Sequence, residues 1–482
     1  MNVQEMEAVI GLEIHVEMNT ETKIFCGCRT AFGAETNTQV CPICLGLPGH
    51  KPVLNQKAVE WHAKAALALN CEIAPYVQFD RKNYFYADLP KGYQISQFFY
   101  PMGINGHVDI EVNGETRRIR IRQIHLEEDT GKLLHMGNIT ASPSSLVDFN
   151  RAGVPLLEIV TQPDVRNAEE ARLFLQKLRT IIQYTGVSDC KMEEGSMRCD
   201  ANVSVRPKGS DILGQKTELK NMNSFRAVTR GIDYEIPRQI DLVLDGEEVI
   251  PQTRHWDEAK GVTRAMRTKY LATDYRCFPD PNVPPFKNDP AWVEEIRQSL
   301  PELPDARYAR LVKEDGLPPY DAEVITASKA MADFYDQTVA LVKEPKTVSN
   351  WLMGEVGRCL NTAGKEIQET ALTPKHLAEL LGLVKKGVIT GKIAKDVMDE
   401  MFRSGQDPET IVKEKGLVQI ADQSELDPVI DRVIQANPKV VEDFHAGKDR
   451  ALGFLVGQVM KETRGKANPQ MLNELLRRKL QG

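Results

Sequence analysis

Arg118-Ile119-Arg120-Ile121-Arg122-Gln123-Ile124-His125-Leu126-Glu127-Glu128-Asp129-Thr130-Gly131-Lys132 is the stretch on which the fold turns. Arginine and isoleucine alternate from Arg118 to Arg122, so a β-strand there carries charge on one face and apolar surface on the other. The phase then slips: Ile119 and Ile121 are odd-numbered, Ile124 and Leu126 even. A slip at the mouth of an acidic run predicts a bulge or strand end that re-aims the carboxylates of Glu127, Glu128 and Asp129. Packed carboxylates repel unless cations sit among them, and Mg²⁺ with phosphates is the usual remedy. A solvated acidic turn is the competing reading of these residues taken alone.

The same polar-faced pattern recurs to either side. In residues 9–18, Ile10, Leu12, Ile14, Val16 and Met18 share one face, and Glu13, His15 and Glu17 the other. Arg198, Asp200, Asn202, Ser204 and Arg206 share a face of a second strand, and Lys216, Glu218 and Lys220 a face of a third. Asn105-Gly106 and Asn113-Gly114 read as hairpin turns bracketing a strand at 108–112. Several strands with ionisable faces imply an antiparallel sheet whose charged side is an active-site floor; a plain solvent-facing sheet would carry more Thr and Lys. Helices are expected at 55–70 and after Asn167, where Ala168, Ala171, Leu175, Leu178 and Ile182 form a buried stripe ending at Gly186.

Cys26-Gly27-Cys28 and Cys41-Pro42-Ile43-Cys44 have the spacing of a four-thiolate zinc site. Such a site is closed, so its role is structural; four reduced, unmetallated thiols are the alternative. Residues 79–97 combine charge with aromatics around Pro90 and Gly92, which suits a loop facing phosphates or a tyrosine-anchored turn.

Residues 277–290 are proline-dense and read as a boundary, beyond which the texture is helical; Asp407-Pro408 marks a second break. The fold class is therefore α+β, with domains at 1–292, 293–407 and 408–482. The last 46 residues hold nine Lys/Arg against five Asp/Glu in a chain of 482 residues and net charge −7. That favours a local nucleic-acid grip over a generally basic coat. No apolar run is long enough to span a bilayer, and the acidic N-terminus lacks the marks of a signal peptide, so a cytoplasmic protein without a membrane partner is expected. No phosphate loop, dinucleotide fingerprint or nucleophile elbow is present.

The blocks at 9–17, 81–86, 125–132, 191–202 and 218–224, with Gly453-Phe454-Leu455-Val456-Gly457, together resemble the B-subunit family of glutamyl/aspartyl-tRNA amidotransferases. Ala87 stands where that family often has proline. The resemblance implies a cradle of antiparallel sheet, a helical domain and a small helical tail. It also implies a ligase that uses ATP and Mg²⁺ to phosphorylate the side-chain carboxylate of Glu-tRNA(Gln) or Asp-tRNA(Asn). Ammonia from an amidase-type A subunit then displaces phosphate, and the pair is braced by a small C subunit. On this view Glu13, His15, Glu128 and Glu218 ligate Mg²⁺ directly or through water, with Glu127 and Asp200 beside them. Histidine is an unusual Mg²⁺ ligand, so Mn²⁺ is expected to bind more tightly in vitro. Lys82 and Lys91 contact phosphate or line an ammonia path. Two other classes fit the residues: a zinc-stabilised tRNA-binding protein without catalysis, and a self-sufficient metal-dependent hydrolase.

Overall fold

The structure is a computed structural model that describes residues 2–135, 144–268, 275–418, 423–445, 448, 450–463, 466–467 and 469–481. Two compact units divide the chain, Met1–Pro304 and Asp305–Gly482.

The first unit opens with β1 (Met6–Glu17) and α1 (Gln56–Ala68). Five strands follow: β2 (Glu72–Ile73), β3 (Tyr76–Asn83), β4 (Tyr93–Tyr100), β5 (Gly103–Val112) and β6 (Glu115–Glu128). Next come β7 (Lys132–His135), β8 (Ser145–Asp148), β9 (Pro155–Thr161) and α2 (Ala168–Thr185). Then β10 (Met197–Pro207), β11 (Thr217–Met222), α3 (Phe225–Leu244), β12 (Gln252–Asp257) and β13 (Val262–Thr268) complete a nine-stranded sheet, and β14 (Phe278–Pro279), β15 (Phe286–Lys287) and α4 (Pro290–Gln298) close the unit.

The strand order of the main sheet is β13-β12-β11-β10-β1-β9-β6-β5-β2. Every pairing is antiparallel except β11 with β12, which α3 separates in sequence and which run parallel, so the sheet is mixed. One face is the core: Ile10, Leu12, Ile14 and Val16 of β1 are buried with Ile124, Leu126, Leu157, Ile159, Ala201 and Val203, against the stripe Ala171, Leu175, Leu178 and Ile182 of α2. Burying a side chain of this size contributes about 1.5–3 kcal/mol, so the face is strongly specified, and a one-residue slip would bury the charged face instead. The α2 boundaries agree with the sequence: Asn167 accepts from the Glu170 N–H, and Gly186 ends the helix at φ +76°.

The phase slip in β6 is a bulge, with the register against β9 shifting between Ile121 and Gln123. Asn105-Gly106 is not a turn. Both residues lie within β5, which pairs in continuous register with β6 on either side of them. Asn105 has φ +55°, and a Cβ on Gly106 would stand 2.3 Å from Cys71 Sγ and 2.8 Å from the Leu69 carbonyl. The pair thus marks close approach of the chain leaving α1, a requirement that a hairpin shares. Asn113-Gly114 does turn β5 into β6.

The proline-dense segment supplies edge strands: β14 and β15 both pair with β3. Ile296 of α4 joins the first unit's core, and that unit runs on to Pro304.

The second unit is helical: α5 (Pro304–Lys313), α6 (Pro319–Thr326), α7 (Lys329–Val342), α8 (Pro345–Trp351), α9 (Gly357–Ala363), α10 (Pro374–Lys385), α11 (Gly391–Ser404), α12 (Pro408–Glu414), α13 (Gln423–Ala436), α14 (Pro438–His445), α15 (Arg450–Glu462) and α16 (Pro469–Gln481). α6 and α7 are separate helices, because the Ser328 side chain caps a fresh start at α7. Pro408 begins α12, but this helix packs on α10 and α11, with Ile411 and Val412 buried. A separate core of Leu426, Ile430, Leu452, Leu455, Leu472 and Leu476 holds α13, α15 and α16 together. No helix among the described residues is long and apolar enough to cross a membrane.

Candidate active site

Antiparallel register decides which polar side chains meet. His15 of β1 lies opposite Arg198 on β10 and Glu158 on β9, and Glu158 lies opposite His125 on β6. Two residues along, on the same face, Glu13 pairs with Asp200. Paired residues project to the same face, so a row of charge crosses four strands above the core.

His15 is the hub. Its Nε2 is 3.9 Å from Glu13 Oε1, 3.9 Å from Glu127 Oε1 and 3.8 Å from Glu158 Oε2. Among the described residues, two groups in this row have ligand atoms within 4.8 Å of one another: Glu13, His15 and Asp200; and His15, Glu127 and Glu158. His125 Nε2 lies 2.9 Å from Glu158 Oε2 and 3.5 Å from Glu127 Oε2. The Glu127 oxygen is buried with no hydrogen-bond partner, and so is Oδ1 of Asn202. A carboxylate oxygen that makes no hydrogen bond, faces His125 at 3.5 Å and lies among other carboxylates fits a hard dication with oxygen ligands.

The titration pattern agrees with that fit. Burial, then the charge of Glu158, raises the Glu13 carboxyl above its ordinary value. Burial works against ionising Glu158, yet His125, His15 and Lys82 hold it well below the carboxylate range. Burial also opposes charge on His125, but Glu158 and Glu127 push it up to about 10, so it is an imidazolium. Lys82 is likewise raised: burial alone would lower it, and Glu127, Glu158 and Glu13 outweigh that. Its ammonium lies 5.8 Å from the Tyr84 ring and 5.2 Å from the Tyr275 ring. Further along the row, burial and Asp129 raise Glu17 to about 8, while Asp129 itself is bonded by Arg198 at 2.6 Å. A cavity of about 610 Å³ opens beside the carboxylates, lined by Gly11, Lys82, Arg122, Asn202 and Lys216 among others.

Of the residues picked out by sequence, Glu13, His15, Glu127, Asp200 and Lys82 are brought together. Glu218 lies one strand further: its Oε2 accepts from Thr253 at 2.9 Å, and Lys220 reaches from it (3.5 Å) to Asp200. Glu128 and Lys91 fall outside the row. They pair with each other, and Glu128 also accepts the Ile95 N–H at 2.9 Å. Adjacent residues of a strand point to opposite faces, so Glu127 and Glu128 cannot both serve the row. Glu158 was missed because Leu156 and Val160, two residues to either side, share its face; the strand reads as buried throughout.

Cys26, Cys28, Cys41 and Cys44 also converge, with their sulfurs within 4.8 Å of one another. The Cys41 N–H donates to Cys44 Sγ at 3.2 Å. A hydrogen bond from Cys26 outweighs burial and lowers the Cys44 thiol to about 4, while the Cys26 thiol is raised by the same bond. A cluster that ionises one thiol before any metal arrives suits a thiolate metal site.

A sheet face that gathers histidines, carboxylates and a lysine beside a cavity is the architecture of a metal-assisted enzyme. Residues 8–294 match the family described as GatB/GatE catalytic domain, and residues 333–480 match the GatB domain. The chain is 60% identical over 478 residues, 99% of each chain, to the B subunit of the aspartyl/glutamyl-tRNA(Asn/Gln) amidotransferase of Carboxydothermus hydrogenoformans. It is 59% identical to the protein of the same name from Caldanaerobacter subterraneus, over 98% of this chain and 99% of that one. The chain belongs to this family of amidotransferase B subunits, enzymes of the ligase class.

Proposed function

We propose that this chain is the ATP-using subunit of a tRNA-dependent amidotransferase. It phosphorylates the side-chain carboxylate of Glu-tRNA(Gln), Asp-tRNA(Asn) or both, and ammonia then displaces phosphate to give the amide. The observation that carries the reading is the His15-centred row of carboxylates beside the lysine-lined cavity. Phosphoryl transfer demands positioning and charge neutralisation more than a protein nucleophile, and charged side chains are what the row supplies.

Glu13, His15, Glu127, Glu158 and Asp200 are the residues that would hold Mg²⁺, with Glu218 reaching them through Lys220. Mg²⁺, when bound, neutralises phosphate charge. Lys82, kept charged by its acidic neighbours, is placed to meet the transferred phosphoryl group. The His125 imidazolium orients Glu158, and Arg198 holds Asp129 at the end of the row. Lys91 and Glu128 lie on the other side of the sheet and are better placed to line an ammonia path than to hold the metal. Cys26, Cys28, Cys41 and Cys44 hold a structural zinc. An amidase of the A type supplies ammonia and a small C-type protein completes a cytoplasmic heterotrimer, with α13–α16 gripping tRNA.

Hydroxylamine added to the assembled enzyme with ATP and Glu-tRNA(Gln), but no ammonia source, should trap a γ-glutamyl hydroxamate on the tRNA. Its absence, with tRNA still bound, would favour a binding protein; ATP-independent turnover without the amidase partner would favour a hydrolase.

A further inference from the structure

Lys23 is fully buried within the cysteine knuckle. Its backbone N–H donates to the Cys28 carbonyl at 3.0 Å. Its ammonium donates to the Gln39 carbonyl at 2.8 Å, to the Phe149 carbonyl at 3.3 Å and to Cys44 Sγ at 3.6 Å. Gly153 makes room for the stem: it has φ +86°, and a Cβ there would meet Lys23 Cδ at 3.5 Å and Cys44 Cβ at 3.6 Å. Among the described residues, no carboxylate lies within ion-pair distance of this ammonium.

A buried cation facing two carbonyls and a sulfur is costly while that sulfur is neutral, because dipoles do not cancel a full charge. The anion available is the sulfur cluster. Four thiolates around a dication leave two negative charges in a site with little water, and a hydrogen-bonding cation is what such a centre lacks. Lys23 would also tie three segments to it: the strand end after β1, the Gln39 loop and the Phe149 turn that leads to Arg151. We infer that Lys23 is a positioning residue of the knuckle, a built-in counter-cation that hydrogen-bonds Cys44 and makes the thiolate centre retain its zinc. The inference rests on the zinc reading above.

Both can be tested on the full-length protein. Metal analysis comes first: wild-type protein purified without zinc, and unable to take up zinc or cobalt, would end the zinc reading. With zinc present, release to a chromophoric chelator is timed for wild type and Lys23→Met. Loss of a second-layer partner typically weakens metal binding about 10–100-fold, and release should quicken on that order. In cobalt-substituted protein, the thiolate-to-metal charge-transfer band should move to lower energy in Lys23→Met, because the sulfurs lose a hydrogen bond and a nearby positive charge. Unchanged release with an unshifted band overturns the inference while leaving the zinc reading intact. Should Lys23→Met not fold, Lys23→Gln replaces it: this side chain still donates to the carbonyls but is neutral. Fast zinc loss from Lys23→Gln supports the counter-cation, and wild-type retention overturns it.

Discussion

Glu127 and Glu128 are neighbours in sequence with opposite surroundings, one in the charged row and the other paired with Lys91. Their mutants should therefore fail differently. Glu127→Gln removes a member of the His15 group, and should cut tRNA-dependent ATP cleavage on the order of 100-fold and raise the Mg²⁺ midpoint. Glu128→Ala should leave the Mg²⁺ midpoint unchanged but strand the half-buried Lys91, a defect that lowers stability by less than the roughly 3–5 kcal/mol of a fully buried broken pair. A Mg²⁺ titration of both variants decides; a shift confined to Glu128→Ala would reverse the assignment. His62 of α1 gives a second residue-level test. Burial, against one hydrogen bond from the ring to the Ile124 carbonyl (3.1 Å), lowers it to about 3. The unfolded chain takes up this proton near pH 6.5, where the folded one does not, so stability is lost as pH falls from that value toward 3. The stability advantage of wild type over His62→Gln should shrink by about 1.4 kcal/mol between about pH 7.5 and 5.5. An advantage that does not change with pH would mean that His62 is not held neutral.

At the scale of elements, the alternation in β1, β6 and β10 was legible because each has one apolar and one ionisable face. β9 was not, since its single acidic residue is flanked on both faces by Leu156, Leu157, Ile159 and Val160. The parallel pairing of β11 with β12 was equally hidden: it arises from the α3 connection, and strand direction leaves no mark on side-chain alternation. Asn105-Gly106 shows the reverse case, where a local signal was strong but its cause was contact with Leu69 and Cys71 rather than a turn. The cysteine knuckle, by contrast, was readable from spacing alone. Cys41→Ser should lower the unfolding temperature of the first unit and its zinc content while leaving the Mg²⁺ midpoint in place, because a closed thiolate site offers no position to substrate. A variant with normal thermal stability and no zinc would remove the structural role.

On the scale of the whole molecule, the basic end needs revision in detail. Lys479 is paired with Asp427 (3.0 Å) and Asp431 (2.7 Å), and Lys466 bonds to the Gly416 carbonyl, so both serve the fold. Arg464 lies outside the described residues. Lys461, Arg477 and Arg478 remain exposed. Because α12 packs with α10 and α11, a clean truncation begins after residue 418 rather than at 408. Removing residues 419–482 should weaken tRNA binding and flatten its salt dependence, since fewer counterions are released. Unchanged affinity and slope would place the grip elsewhere. The central claim, that the charged face of the sheet phosphorylates the substrate's side-chain carboxylate, has its most direct test in the fate of that carboxylate's oxygen. The assembled enzyme is given ATP, glutamine and Glu-tRNA(Gln) whose side-chain carboxylate is labelled with heavy oxygen, and the released phosphate is weighed by mass spectrometry. Attack of the carboxylate on the γ-phosphorus, followed by ammonia at the carbonyl carbon, leaves one labelled oxygen in each phosphate. Phosphate carrying oxygen only from ATP and water, alongside normal Gln-tRNA formation, would contradict it.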